Sequence, residues 1–151
     1  MSQDHGIKHQ MVSLKLAAAL LLYAESGNFG NVLQAPCDVI LSREHTVQPD
    51  IIFVEKTRSG LIGERNLWGA PDIAIEILSQ GTREKDTRVK RNLYSRFQVK
   101  EFWLVDPESE TIEVLFWSEA GYATAGTYGI SQHLSSPTLP NLRLPLSKVF
   151  A

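Results

Sequence analysis

The sequence lacks several features that mark large classes of protein. It has one cysteine, Cys37, which excludes an internal disulfide and a multi-cysteine zinc site and fits a reducing compartment. Its apolar run in LKLAAALLLYAES is far shorter than the ~20 residues that span a bilayer. The 15 Lys and Arg nearly balance the 17 Asp and Glu, so the net charge of -2 indicates no overall attraction to nucleic acid. We therefore expect a cytoplasmic protein with no membrane partner.

Familiar motifs and domain linkers are also missing. No internal repeat, low-complexity tract or Pro/Gly/Ser linker divides the 151 residues, which predicts a single domain over 1–151. The stretch SQGTREKD lacks the glycine pattern and GK[ST] ending of a P-loop, and no nucleophile elbow surrounds Ser79. The histidines lack metal-ligand spacing and are predicted to be surface or core residues: His5, His9, His45 and His133.

The first predicted element is a helix from about Ile7 to Glu25, closed by the stop signal Gly27 and Asn28. The apolar run also has the length of the core of a signal peptide. Helical spacing favours an amphipathic helix whose apolar residues pack on the domain. Those residues are Ile7, Met11, Leu14, Ala18 and Leu21 or Leu22.

Later stretches indicate strands around a second helix. GNVLQAP, CDVILS, TVQPDIIFVEK and GAPDIAIEILS read as strands, with Asp72 solvated at the entrance of the last. GTREKDTRVKRNLYSRF predicts a helix with Thr82 as N-cap and an apolar stripe of Val89, Leu93 and Phe97. KEFWLVDP and TIEVLFW, joined by the turn DPESE, predict an antiparallel hairpin. A strand, helix and strand in succession predict a parallel crossover, hence an α/β fold with a mixed sheet flanked by helices.

Ionisable side chains near two of these strands suggest a chemistry. Asp50 stands at the entrance of an apolar strand and Glu76 near the exit of another, while Asp86, Lys90 and Tyr94 share one face of the next helix. Two converging carboxylates suit Mg²⁺, which takes one or two carboxylates and keeps positions for water and phosphate. A nearby ammonium can orient water or neutralise developing charge. The set predicts metal-assisted phosphodiester hydrolysis.

Each of these residues also has a purely structural interpretation. Asp50 can cap a backbone N–H beside a turn, and Glu76 can form a buried structural pair with Lys90 or Tyr94. Asp86 can support Lys90 or interact with the positive end of the helix dipole. The sequence leaves these alternatives open.

A basic stretch surrounds the second helix. It contains seven Lys and Arg residues but only two acidic residues, Glu84 and Asp86, which gives a local surplus of five positive charges in a chain of negative net charge. The cluster either binds a phosphate backbone or forms a solvated helix face. The cations are Arg83, Lys85, Arg88, Lys90, Arg91, Arg96 and Lys100, of which Arg83, Lys85, Arg88 and Arg91 are the candidates for nucleic-acid binding.

Four stretches resemble the Uma-type restriction endonucleases of bacteria, within the PD-(D/E)XK nuclease superfamily. They are VQPDIIFV, GAPDIAIEILS, DTRVKRNLYSRFQVKEFWLVDP and SSPTLPNLRL, and the resemblance covers about residues 35–150. It implies a restriction-endonuclease-like αβββαβ core with an extra C-terminal hairpin strand, DNA as substrate and Mg²⁺ or Mn²⁺ as cofactor. It makes Asp50 the aspartate of the PD element and Glu76 the acid of the (D/E)XK element.

The chain departs from that pattern in two places. Leu78 occupies the lysine position of the motif, so Lys90 in DxxxKxxxY is the candidate substitute, with Asp86 and Tyr94 supporting it. Relatives usually begin with a strand pair containing a YELIDGEL-like stretch, whereas this chain opens almost directly with the helix of His9 and Gln10. We therefore expect an N-terminally short member of the family.

Two functions are compatible with these residues. The first is a metal-dependent endonuclease in which Asp50 and Glu76 bind the ion and Lys90 assists. The second is a catalytically inactive nuclease-fold domain that binds nucleic acid or oligomerises, as the two departures favour. A strand edge from another chain can fill the missing sheet position, which predicts a homodimer.

Overall fold

The computed structural model describes residues 6–79 and 84–151, with only the backbone of residues 84 and 85. A 3₁₀-helix spans Lys56–Leu61. The helices and strands, in chain order, are α1 (Ile7–Gly27), β1 (Gly30–Gln34), β2 (Asp38–Ser42), β3 (His45–Val47), β4 (Ile51–Glu55), β5 (Asn66–Leu67), β6 (Ile73–Ile77), α2 (Glu84–Arg96), β7 (Glu101–Asp106), β8 (Thr111–Ser118), β9 (Gly121–Gly129), β10 (His133–Leu134), β11 (Leu144–Pro145) and α3 (Ser147–Phe150).

The central sheet has six strands in the order β1, β4, β6, β7, β8, β9. Strands β6 and β7 are parallel, and every other neighbouring pair in this sheet is antiparallel. Helix α1 precedes β1, and α2 connects the two parallel strands. Followed along this sheet, the chain has the predicted αβββαβ order, and the mixed α/β architecture is confirmed. Strands β2, β3 and β5 form a separate small sheet.

Strand β6 lies in the middle of the sheet and is buried on both faces. Ile73, Ile75 and Ile77 pack in the cluster that includes α1, while Ala74 packs in the cluster that contains Tyr94 of α2. Burying one such isoleucine contributes about 1.5–3 kcal/mol, so these contacts fix the register of the strand. Asp72 and Glu76 share the face of Ala74, because side chains alternate along a strand. That face is turned towards α2.

The prediction for the packed face of α1 was wrong. Four of the predicted core residues are strongly exposed: Ile7 (77%), Met11 (50%), Leu14 (63%) and Leu22 (71%). A second stripe is buried instead: Val12, Leu16, Leu20 and Ala24. The helix is apolar on most of its circumference, so periodicity alone could not select the face. Its predicted end is confirmed by Asn28, which adopts a left-handed conformation (φ 54°) and donates its N–H to the Ala24 carbonyl.

Helix α2 was predicted correctly as an element, and its face with Lys90 and Tyr94 turns towards the sheet. Tyr94 is fully buried against Phe102, with ring centroids 5.1 Å apart. Of the predicted apolar stripe, Val89 is 57% exposed, whereas Leu93 and Phe97 are half-buried. The predicted N-cap, Thr82, lies outside the described residues.

The C-terminal half completes the sheet and closes the core. The predicted hairpin is confirmed as β7 and β8, and β8 continues into β9, which the sequence analysis did not identify. Small residues in GYATAGTYG hide the usual strand signal. Buried Glu101 accepts hydrogen bonds from the Thr138 N–H (2.6 Å) and the Ser136 hydroxyl (2.8 Å), which hold the final segment in place. Within the described ranges, no helix is long and apolar enough to cross a membrane.

Candidate active site

Asp50 is held where β4 meets β6. Its N–H donates to the Ile75 carbonyl (3.1 Å), and its Oδ2 accepts the Ile77 N–H (2.7 Å). The side chain is 13% exposed, so one edge of the carboxylate reaches a cavity. The backbone-capping role that the sequence left open is therefore present. This role uses Oδ2 of Asp50, whereas Oδ1 faces His9 of α1.

Glu76 lies near the end of β6 and is 7% exposed. Lys90 Nζ donates to Oε1 (3.0 Å), and the Tyr94 hydroxyl donates to Oε2 (2.6 Å). Burial raises the pKa of Glu76, against the opposing effects of the Lys90 charge and the Tyr94 hydrogen bond, while Asp50 raises it further. Burial and the neighbouring carboxylate also raise the pKa of Tyr94, so the phenol stays a hydrogen-bond donor.

The three predicted catalytic side chains meet at one small cavity. Asp50, Glu76 and Lys90 line it together with Leu78 and Thr87. Leu78 occupies the motif's lysine position, and Lys90 reaches the same cavity from α2 in its stead. The cavity measures about 10 Å³, which is roughly the space one water molecule needs.

The donor chemistry fits a divalent ion, but the arrangement is tight. Mg²⁺ needs one or two carboxylates and fills its remaining positions with water and substrate oxygens. Both Glu76 oxygens are occupied by Lys90 and Tyr94, whereas the Ile77 N–H occupies only the Oδ2 of Asp50 and leaves Oδ1 facing His9. In residues 6–79 and 84–151 there is no group of three or more His, Cys, Asp or Glu side chains that could hold a metal.

The other predicted site residues of α2, apart from Tyr94, are dispersed. Asp86 is exposed and does not line the cavity. Arg88 is exposed, while Arg91 donates to the Tyr122 carbonyl (3.3 Å). The other two candidates for nucleic-acid binding, Arg83 and the side chain of Lys85, lie outside the described residues.

Sequence reasoning missed His9. This histidine is 7% exposed on α1, and its Nε2 lies 3.5 Å from Asp50 Oδ1. It lines a second cavity of about 190 Å³ on the α1 side of Asp50, together with Gln10, Ser13 and Gln34. The sequence gives no signal for this role, because the contact of His9 with Asp50 joins residues 41 positions apart.

The prediction that Asp72 is solvated was wrong, since it is fully buried. Its Oδ2 accepts the Glu55 N–H (2.7 Å), and its Oδ1 lies 3.1 Å from Arg58 and 3.3 Å from Lys100. Burial alone would raise the pKa of Asp72, but the Glu55 N–H and the two cations outweigh it and lower the pKa. Both cations come from segments distant in sequence, so no local pattern reveals them.

Comparisons with known proteins bear on the family and the fold. No curated protein matches the sequence. The fold is similar to the crystal structure of "a putative nuclease belonging to DUF820 from Anabaena variabilis ATCC 29413", with a TM-score of 0.77 and 18% identity over 99% of this chain and 82% of that one. A family model described as "Putative restriction endonuclease" matches residues 1–147. The chain therefore belongs to the Uma2 family of restriction endonuclease-like proteins.

Proposed function

We propose that the protein is a metal-dependent endonuclease that hydrolyses phosphodiester bonds of DNA. One observation carries the proposal: Asp50, Glu76 and Lys90, from two strands and a helix, line one cavity at the end of β6. In this proposal Asp50 and Glu76 bind Mg²⁺ or Mn²⁺. The bound ion would neutralise charge on the phosphate and lower the pKa of a water molecule.

Lys90 is placed to act on the substrate as well as on Glu76. Its side chain is 30% exposed, so the ammonium reaches solvent while one N–H bonds Glu76 Oε1. In the proposal this ammonium orients the attacking water or stabilises negative charge on the phosphate. The Tyr94 hydrogen bond holds the other Glu76 oxygen and thereby positions the carboxylate for Lys90. Exposed Asp86 would add a long-range electrostatic contribution to the same cation.

The experiment compares nicking of supercoiled plasmid with Mg²⁺ and with Mn²⁺. Asp50→Asn should lower the cleavage rate at least about a thousandfold, because a metal ligand contributes several kcal/mol to the transition state. Asp38→Asn, a carboxylate that lines neither cavity, should cleave as the wild type does. Wild-type protein that cleaves no form of DNA with either ion, and binds neither ion by calorimetry, would refute the proposal.

A second function is favoured by one observation. Because both Glu76 oxygens are bonded and the cavity holds about one water, the site can equally be a structural ion pair in a catalytically inactive domain. Such a protein binds DNA through α2 without metal. Its affinity should fall steeply with salt and weaken further when Arg88 and Arg91 become Ala.

The homodimer is also part of the proposal. The exposed row Ile7, Met11, Leu14, Ala18 and Leu21 on α1 has the alternating spacing of four and three residues that seams between paired helices show. This face offers a surface for the α1 helix of a second copy. Sedimentation at several protein concentrations, with Leu14→Gln as the variant, distinguishes a dimer from a monomer. A wild-type protein that stays monomeric at all concentrations contradicts the dimer.

A further inference from the structure

We propose that His9 binds the catalytic ion together with Asp50, on the side of Asp50 that faces α1, and that this imidazole makes the site prefer Mn²⁺ to Mg²⁺. The inference rests on the proposed function, since it presupposes the ion bound by Asp50 and Glu76, and it places the waters and the phosphate oxygen of that ion on the α1 side. It adds a ligand from α1, the element that sequence motifs leave without a role.

The available space distinguishes the two sides of Asp50. The cavity shared with Glu76 and Lys90 measures about 10 Å³, whereas the cavity towards α1 measures about 190 Å³. An ion that keeps several waters and receives a phosphate oxygen needs room for several molecules of water size. Of these two cavities, only the one on the α1 side has that room with the side chains as they are arranged. The Ile77 N–H occupies Oδ2 of Asp50, and the other oxygen, Oδ1, faces His9.

The distance between the two side chains suits a shared ion. Bonds of about 2.1 Å to nitrogen and oxygen place two adjacent ligands about 3 Å apart around one ion. His9 Nε2 and Asp50 Oδ1 are 3.5 Å apart, so a movement of about half an ångström brings both to bonding distance. The backbone of His9 is anchored, because the next turns of α1 bury Val12 and Leu16 in the core.

The rest of the cavity wall includes amide and hydroxyl groups. Gln34 donates from Nε2 to Ser13 Oγ at 2.9 Å, and Gln10 lines the same space. Amide and hydroxyl groups of this kind can hold the water molecules that complete the coordination of a divalent ion. The cavity is thus lined by polar side chains around an Asp and a His.

The nitrogen ligand carries the predicted selectivity. Mg²⁺ is bound through oxygen, whereas transition-metal ions accept imidazole nitrogen as well as carboxylate. A site of two carboxylates alone has no such reason to favour Mn²⁺. His9 therefore provides a chemical basis for discriminating the two ions.

The test titrates the full chain with manganese chloride and magnesium chloride separately by calorimetry. The wild type should bind Mn²⁺ at least about tenfold more tightly than Mg²⁺. His9→Gln should lose at least about tenfold in Mn²⁺ affinity and change little towards Mg²⁺. His133→Gln, which alters an exposed histidine on β10, is the matched control and should behave as the wild type does.

A spectroscopic measurement removes the ambiguity of a structural effect. Electron spin echo spectra of Mn²⁺ bound to the wild type should show modulation from a directly bonded ¹⁴N nucleus, and His9→Gln should abolish it. If circular dichroism shows that His9→Gln does not fold, His9→Asn replaces it, and the echo spectrum of the wild type tests the nitrogen ligand by itself. A wild-type spectrum without ¹⁴N modulation, or equal Mn²⁺ affinities of folded wild type and variant, overturns the inference.

The same data separate this inference from the proposed function. If the wild type cleaves plasmid and binds both ions equally, and Asp50→Asn alone abolishes binding, the metal-dependent nuclease stands and the His9 ligand falls. If the wild type binds neither ion, the His9 ligand falls, and if it also cleaves no form of DNA, both fall.

Discussion

The two ends of β6 each bury a carboxylate on the same face, four residues apart, and treat it in opposite ways. Asp72 at the entrance receives the Glu55 N–H and two cations, Arg58 and Lys100, and its pKa is lowered. Glu76 near the exit receives Lys90 and the neutral Tyr94 hydroxyl, lies in the field of Asp50, and has a raised pKa. The neighbours of Asp72 favour its charged form, whereas burial and Asp50 disfavour the charged form of Glu76.

The contrast separates a structural carboxylate from a functional candidate. Around Asp72 two cations, Arg58 and Lys100, balance the two carboxylates of Asp72 and Glu55, so the cluster has no reason to recruit a further cation. Around Glu76 two carboxylates share one cation, so an additional cation from solution, or a proton, is stabilised there. Burial alone therefore does not identify a site, because Asp72 is the more deeply buried of the two.

The largest expected effect comes from Asp72→Asn. Removing one partner of a buried ion pair costs about 3–5 kcal/mol, and we expect about 3 because Arg58 and Lys100 are partly exposed and remain solvated. Urea denaturation at pH 7 measures it, with Asp38→Asn as control. Equal stability of Asp72→Asn and wild type would remove the distinction between the two ends of the strand.

The difference in stability between the wild type and Asp72→Asn should depend on pH. Because the folded pKa of Asp72 is lowered, its stabilisation is fully present above the unfolded value of about 3.9 and is lost as the pH falls through the folded pKa. The difference between the wild type and Asp72→Asn should therefore be constant from pH 5 to 8 and should shrink below about pH 4.

Glu76→Gln should have a smaller effect on stability, and its pH trend should be opposite. The folded pKa of Glu76 is raised, so the stability linked to its proton is present below about pH 4.3 and is lost as the pH rises through the folded pKa. The variant should lie within about 1 kcal/mol of the wild type at pH 7, because the charge it removes is the one that burial penalises. Urea titrations at pH 4.5, 6 and 7.5, beside the exposed Glu119→Gln, test this. A loss as large as that of Asp72→Asn would contradict it.

The smallest effect is expected for Lys100→Ala. The Lys100 side chain is 51% exposed, so its pairs with Glu55 and Asp72 should contribute no more than about 1 kcal/mol. Arg58 and the Glu55 N–H continue to satisfy Asp72 in this variant. Denaturation in low and high salt measures the contribution, which should decrease with salt. A cost that equals that of Asp72→Asn would mean that Lys100 alone supports the buried carboxylate.

Local patterns predicted the elements better than their orientation. The strand of Ile73, Ile75 and Ile77 and the hairpin of β7 and β8 follow from alternation and turn residues, and the structure has both. The packed face of α1 did not follow, since exposed Leu14 and buried Leu16 are chemically alike. Leu16 lies on the side of the helix that packs on the sheet, together with Ala17 and Ala24.

The residues of the candidate site likewise include some that the sequence predicted and some that it did not. Asp50, Glu76 and Lys90 could be proposed from sequence, because each stands beside a recognisable strand or helix. His9 and the cations around Asp72 could not, because each contact joins segments that only the folded chain brings together. The basic stretch on α2 was likewise visible, but its partners were not: Lys90 bonds Glu76, and Arg91 bonds the Tyr122 carbonyl.

By itself the sequence determined the order of the elements, the burial of β6 and the residue types available for chemistry, because these depend on local periodicity and composition. Only the tertiary structure decided which of the two carboxylates, Asp72 or Glu76, has a lowered pKa and which has a raised one. The charge state of a buried acid depends on every cation and dipole within a few ångströms, and those neighbours come from distant parts of the chain. The roles of Asp72, Glu76 and His9 therefore depend on the packing of the whole domain.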